Sequence, residues 1–202
     1  MNLLPEQTKR FYRAWFALLG YTNEQRRLGL DLPARPKPGF ISPADADRVR
    51  KVLWADDSLR ERFVAENPAG LPQADLDVVA SWRHRVAGGF FVLRHLQAHT
   101  IFLDEGRPTR AYGARGLVSP MDEVVPPPLP AWVDAVLIPF EGAIAHDSLI
   151  SRRSISFGGG IRRGLNEEYR AAREREGLIA SLPPDAAARP SMSRGRGRRR
   201  RP

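Results

Sequence analysis

Residues 132–150 read WVDAVLIPFEGAIAHDSLI, and this stretch decides the fold. Two apolar runs, Trp132 to Phe140 and Ala143 to Ile150, are separated only by Glu141-Gly142. A two-residue connection that contains glycine is typical of a β-hairpin. Strands joined by so short a turn lie antiparallel, because a parallel pair needs a long crossover. The stretch therefore predicts the centre of an antiparallel sheet.

The sequence on either side of this hairpin supplies more strands and a final helix. Phe90 to Leu93 and Thr100 to Leu103 are short runs rich in strand-forming residues. Arg110 to Val118 and Ser154 to Phe157 are weaker strand candidates, so antiparallel strands are expected between residues 90 and 157. Ile161 to Gly177 has apolar residues at a spacing of four, which predicts a helix.

Residues 1–88 are predicted to be helical. Between residues 5 and 19, the large apolar side chains fall on one stripe, and Gly20 is placed to end that helix. Ser42-Pro43 is a strong helix start, whereas three prolines force residues 31–41 into a loop. Gly88-Gly89 is expected to stop the last of these helices. The fold class is therefore α+β, with a helical N-terminal half packed on a small antiparallel sheet and closed by a C-terminal helix.

Charge divides the chain into a body and a tail. The formal net charge is +9, but residues 189–202 hold seven arginines and no acid. Residues 1–188 hold 25 basic and 23 acidic side chains, so the body is close to neutral. After Leu182 there is too little apolar surface to offset the entropy of ordering. We predict one folded domain, residues 1–182, and a disordered arginine-rich tail, residues 183–202.

Composition excludes several classes of protein. The chain has no cysteine, which removes disulfides, thiolate metal sites and cysteine nucleophiles. No stretch approaches the ~20 apolar residues that span a bilayer, and the N-terminus lacks the features of a secretion signal. These observations predict a cytoplasmic protein that does not insert into a membrane.

Part of the chain resembles a group of uncharacterised bacterial proteins. The resemblance rests on residues 135–149, AVLIPFEGAIAHDSL, and residues 157–169, FGGGIRRGLNEEY, with support from residues 91–96 and 100–103. It covers roughly residues 75–180. The resemblance implies a bacterial globular module of no known activity, so it assigns no catalytic residue.

One turn has the composition of an anion site. Phe157 is followed by Gly158, Gly159 and Gly160 and then by a helix that contains Arg162 and Arg163. Glycines let backbone N–H groups converge, and a helix N-terminus is positively polarised, so a phosphate or another anion could bind there. The alternative is a flexible turn with two solvated arginines. The pattern is neither a Walker A loop nor a dinucleotide fingerprint.

The tail is the second candidate binding region. Its arginines, which would attract phosphates without sequence specificity, are Arg194, Arg196, Arg198, Arg199, Arg200 and Arg201. They predict a possible contact with nucleic acid or another polyanion. The alternative is a solubilising end in an arginine-biased chain.

No set of residues predicts a reaction. His146 and Asp147 are adjacent in a strand, so their side chains would diverge unless a bulge intervenes. His95 and His99 lack a third metal ligand, and His84 is no better placed. We therefore predict no catalytic residue, no metal and no cofactor. The preferred hypothesis is a non-catalytic binding or interaction module, and the alternative is an enzyme or sensor that binds a phosphorylated or anionic small molecule at Gly158 to Arg163. A purely structural partner in an oligomer is a third possibility.

Overall fold

The computed structural model describes residues 2–32 and 42–183. Most of the predicted proline loop, residues 33–41, lies outside the described residues. The tail arginines, residues 194–201, lie outside them as well, so the structure does not bear on the prediction of a disordered tail.

The N-terminal half is helical, as predicted. Its helices are α1 (Pro5–Gln25), α2 (Pro43–Ala55), α3 (Asp57–Glu66) and α4 (Gln73–Ser81). The apolar stripe of α1 is buried, with Phe11 and Leu18 fully enclosed. The predicted stop at Gly20 is wrong, because Tyr21 and Thr22 are also buried and hold the helix in place for another turn.

The second half contains five strands and two helices. The strands are β1 (Val86–His95), β2 (Thr100–Asp104), β3 (Ala111–Ala114), β4 (Ala131–Phe140) and β5 (Ala143–Arg152). A short helix, α5 (Met121–Val124), lies between β3 and β4, and the chain ends in α6 (Gly159–Glu176). The predicted α+β class and the predicted β4–β5 hairpin are confirmed.

Two local predictions are wrong. Gly88 and Gly89 lie inside β1 instead of stopping a helix, because the helices already end in a 3-10 turn at Trp82–His84. Gly88 has φ +149°, which side chains rarely adopt, and a Cβ on Gly89 would lie 2.6 Å from the Trp132 ring. Residues 154–157 form no strand and lead into α6 as an irregular segment.

The five strands close into a barrel in the order β1, β2, β3, β5, β4. Four of the pairings are antiparallel, whereas β3 and β5 meet in parallel through Ala114 and Ile144. This order, with a helix between β3 and β4, is the connectivity of the OB-fold, a five-stranded Greek-key barrel. The sequence did not predict the closure, because it depends on the contact between β3 and β5.

The barrel interior and its outer faces form three apolar cores. The interior contains Phe90, Phe102, Val133 and Leu137. The outward-facing side chains of β4 and β5 pack instead on the N-terminal helices, where Phe140 contacts Phe11 with ring centroids 5.6 Å apart. The helical half and the barrel therefore share a core.

Candidate functional site

The surface that OB-folds normally use for ligands is occupied by the chain itself. OB-folds bind oligonucleotides or oligosaccharides on the face of strands 2 and 3 and on the loops that flank it. Here Leu165, Tyr169 and Ala172 of α6 pack on Ile101 and other residues of β2 and β3. The usual binding face is thus covered by the last helix.

The β4–β5 turn is also held by the rest of the chain. Glu141 accepts hydrogen bonds from Gln7 Nε2 at 2.8 Å and from Arg10 Nη1 at 2.6 Å. Arg10 and Arg13 also bind the buried carboxylate of Asp75 on α4. This network fixes the turn to α1 and α4, and it removes a second part of the usual binding surface.

A cleft opens on another part of the barrel surface, between α2 and three strand segments. These are the start of β1, the start of β4 and the end of β5. Its volume is about 600 Å³, which is within the range of small-molecule sites. The charged lining residues are Asp47, Arg50, Lys51, Asp134, Arg152 and Arg153, and the uncharged ones are Gly88, Ala135, Val136 and Ser151. Four cations thus face two carboxylates.

The cations of the cleft differ in how they are neutralised. Lys51 Nζ lies 2.6 Å from Asp47, and Arg153 lies 3.1 Å from Asp134. Arg152 instead donates to the backbone carbonyls of Pro126 and Pro128, the latter at 3.0 Å. Carbonyls orient a guanidinium without cancelling its charge, so Arg152 is the cation that the cleft leaves uncompensated.

Arg50 joins the cleft to a buried carboxylate. Arg50 Nη1 donates to Asp147 Oδ1 at 3.1 Å, and Trp54 Nε1 donates to Asp147 Oδ2 at 2.7 Å. Burial raises the pKa of Asp147 to about 6, against the opposing effects of Arg50 and Trp54. The ion pair with Asp147 fixes Arg50 against the barrel.

His146 and Asp147 do not converge, although a bulge is present. Ala135 pairs with Ile150 and Leu137 with His146, so three residues of β5 face one residue of β4. His146 shares the side of Leu137, inside the barrel, and neither of its ring nitrogens has a hydrogen-bond partner among the described residues. Burial, and then the charge of Arg50, lowers its pKa to about 4. The structure does not bring His146 to the exposed anion turn.

An exposed basic segment runs from the end of β5, through the connection, into the start of α6. Residues 151–163 read SRRSISFGGGIRR, with four arginines and no acid. All are exposed except the partly buried Phe157. The segment begins in the cleft, at Ser151, and ends in the first turn of α6.

The predicted anion turn lies at the end of this segment. Gly158 is the N-cap of α6, and Gly159 and Gly160 are in its first turn, with open space where their side chains would be. Arg162 Nε donates to the carbonyl of Phe157 at 3.0 Å, and Arg163 is exposed. The structure therefore keeps the five predicted residues together on the surface, and anion binding there stays a prediction.

Aromatic rings lie beside the basic segment. The guanidinium of Arg153 stacks on Trp132 at 5.5 Å from the ring centroid, and the Phe91 and Phe157 centroids are also 5.5 Å apart. Trp132 Nε1 donates to Glu105 at 2.8 Å, which holds the indole across Gly89. The surface around residues 151–163 thus combines cations with half-exposed aromatic rings.

The remaining histidines form no metal centre. His95 bonds Thr100 and the carbonyl of Val125, and His84 lies beside Arg83. No group of three or more potential metal ligands occurs in the part of the chain that the structure describes. Burial, with the charges of Arg115 and Arg173, lowers the pKa of His99.

Sequence reasoning missed the cleft. Arg50 and Lys51 come from α2, whereas Asp134, Arg152 and Arg153 come from the hairpin more than 80 positions later. Only the fold brings these groups together. The acid-free composition of residues 151–163 was visible in the sequence and could have identified one wall of the site.

No protein-family model matches the sequence, and comparisons with curated proteins and with solved structures gave no match. Within residues 2–32 and 42–183, no helix has the length and apolar character needed to cross a membrane.

Proposed function

We propose that this protein is a cytoplasmic, non-catalytic module that binds single-stranded nucleic acid. The observation that carries the proposal is the exposed segment 151–163, which has four arginines, no acid and an aromatic ring at its centre. Proteins that bind single strands without sequence preference combine a basic track with rings on which bases stack. The tail arginines would add phosphate contacts of the same sequence-independent kind.

The position of the segment supports this function. It runs from the end of β5 to the first turn of α6, and its own Arg153 stacks on the ring of Trp132. The barrel connectivity adds an argument by analogy, because OB-folds often bind oligonucleotides. The binding face would differ from the usual one, since α6 occupies the face of β2 and β3.

Fluorescence anisotropy with a labelled oligothymidine, titrated at several salt concentrations, tests the proposal. Each arginine that contacts a phosphate of a single strand contributes about 0.7 to the slope of log affinity against log salt. The variant R162Q/R163Q should therefore weaken binding and reduce the slope by about 1.4. A full-length variant in which Gln replaces the six arginines between residues 194 and 201 measures how much the tail contributes to the affinity and to the salt slope.

The matched control is R27Q/R62Q, which removes the same charge from exposed positions of the helical half. It should leave affinity and slope close to wild type. If R162Q/R163Q behaves like this control, the segment is not the binding surface. If no single strand binds even at low salt, the proposed function is wrong.

A second candidate is an enzyme or sensor that binds a small anion at Gly158 to Arg163. The observation that favours it is the open N-terminus of α6, where residues 158–163 contain three glycines, two exposed arginines and no acidic residue. Under this alternative, R162Q/R163Q abolishes binding of inorganic phosphate, measured by calorimetry, while oligothymidine binding stays unchanged. The two functions thus predict opposite outcomes for one variant.

A further inference from the structure

The cleft between α2 and the barrel has features of a built site that segment 151–163 does not explain. It is a partly open cleft of about 600 Å³, and only residues 151–153 of the segment line it. A space of this size admits one mononucleotide-sized molecule and not a strand of several nucleotides. The ligand is therefore small, or it is the end of a larger one.

The charges of the cleft select an anion. Arg152 is held by two carbonyls and has no carboxylate partner among the described residues, so an incoming anion would meet an oriented and uncompensated guanidinium. Lys51 and Arg153 each pair with one acid but remain largely exposed, with 71% and 62% of their side chains accessible. Both can therefore turn toward a ligand without leaving a buried carboxylate alone.

A fixed wall completes the site. The side chain of Arg50 is only 8% exposed, and its Nε is buried without a hydrogen-bond partner among the described residues. Its guanidinium cannot swing away, because Asp147 and the carbonyl of Leu149 hold it. A buried donor without a partner is costly.

The main chain of β1 is accessible at the bottom of the cleft. Gly88 has φ +149°, a value that residues with side chains rarely adopt, and nothing lies within 4 Å of the position where its Cβ would be. A ligand can thus approach the main chain of β1 closely. Ser151, which pairs with Asp134 across the strands, is exposed and lines the same space.

We propose that this cleft is a binding site for a single phosphate monoester group, with Arg152, Arg50 and Lys51 as its cationic contacts. The group belongs either to a small phosphorylated metabolite or to the phosphorylated end of a nucleic-acid strand. Guanidinium groups suit this ligand, because their N–H fork matches the oxygens of a phosphate. The site does not depend on strand binding by residues 151–163.

Isothermal titration calorimetry of the full-length protein with 5′-AMP and with adenosine tests the site without any variant. The pair differs only in the phosphate, so the proposal expects saturable binding at one site for 5′-AMP and none for adenosine. The same titration on S151Y, which fills the cleft without changing charge, and on R152Q should show affinity reduced by about tenfold or more. The matched control is S154Y, three residues further along the exposed segment and outside the cleft lining.

A second arm separates the two sources of the phosphate. Decanucleotides with a 5′-phosphate or a 5′-hydroxyl are compared on wild type and on S151Y by anisotropy. A phosphate-dependent gain in affinity that S151Y removes identifies a strand end as the ligand. Binding of 5′-AMP that is sensitive to S151Y, without such a gain, identifies a free phosphomonoester.

The proposal is overturned if wild type binds no 5′-AMP and gains nothing from the strand phosphate, or if 5′-AMP and adenosine bind alike. Equal phosphate binding by S151Y, S154Y and wild type also overturns it, provided that their melting temperatures agree. Failure of oligothymidine binding, by contrast, concerns only the function proposed for the segment.

Discussion

His146 is enclosed in the barrel interior with neither ring nitrogen hydrogen-bonded to a described residue. An imidazole in such a place stays neutral, because an imidazolium would be both desolvated and close to the charge of Arg50. Its pKa of about 4 lies well below the ordinary value of 6.5. The residue therefore links the stability of the barrel to pH.

The sign of this linkage gives the first prediction. Between pH 6.5 and pH 4, the unfolded chain takes up a proton at His146 that the folded chain refuses, so stability falls as the pH falls through this window. The loss should reach about 3 kcal/mol near pH 4. The variant H146L, which has no titrating group there, should lack this contribution. Urea unfolding at several pH values measures both proteins.

Asp147 also makes the stability depend on pH, but it is present in both wild type and H146L, so its effect cancels in the difference between them. That carboxyl has a raised pKa, about 6 against 3.8, so its stabilising effect is present at low pH and is lost as the pH rises. The two groups oppose each other between pH 4 and pH 6, and only the difference between the proteins isolates His146. Identical pH profiles for H146L and wild type would contradict the prediction.

At the scale of elements, the bulge of β5 connects the barrel to the helices. It lets Asp147 face Arg50 and Trp54 of α2 and lets Ser148 Oγ accept from Trp15 Nε1 of α1 at 3.1 Å. Ser148 has φ +73°, an uncommon value for a residue other than glycine. The strand deviates from regular geometry, and each of these contacts depends on that deviation.

Removing the carboxylate of Asp147 should destabilise the fold strongly. D147A leaves the buried Arg50 without its ion pair and Trp54 without its acceptor, which costs about 3 kcal/mol or more. The double variant R50M/D147L replaces the pair with apolar groups and should cost much less. Urea unfolding compares the two, with D122A at an exposed site of α5 as control. Equal stabilities for D147A and the double variant would show that the pair does not act as inferred.

The elements that sequence reasoning predicted are those specified by neighbouring residues. The β4–β5 hairpin turns at Glu141-Gly142, and α2 begins at the predicted Ser42-Pro43 step, so both were predictable. The role of Gly88 and Gly89 was not, because glycine at 88 is set by a φ of +149° and glycine at 89 by the indole of Trp132, more than 40 positions away. The β5 bulge was also hidden, since the side chains that its residues contact lie in α1 and α2, far away in the sequence.

At the scale of the whole molecule, α+β composition was predictable and barrel closure was not. Closure requires β3 to meet β5, and only Ala114 and Ile144 form that parallel pair. No local pattern in either strand indicates the other. The same holds for the cleft, whose walls are distant in sequence, and for α6, whose apolar stripe predicted burial without indicating that β2 and β3 would receive it. The basic segment was readable in the sequence because its character lies in its own residues.

The shared core predicts that the helical half and the barrel unfold together. Val136, Ile138 and Phe140 of β4 belong to the same apolar cluster as the buried faces of α1 to α4, so neither part keeps a complete core without the other. F140A should cost about 3–5 kcal/mol, the range for removing a buried ring, and should lower the stability of both parts equally. Hydrogen exchange by mass spectrometry in rising urea measures this, with α1 peptides reporting on the helical half and β2–β3 peptides on the barrel. Protection of the barrel at urea concentrations that release α1 would show two separate cooperative units, and would mean that the contact along β4 is an interface between domains and not a core.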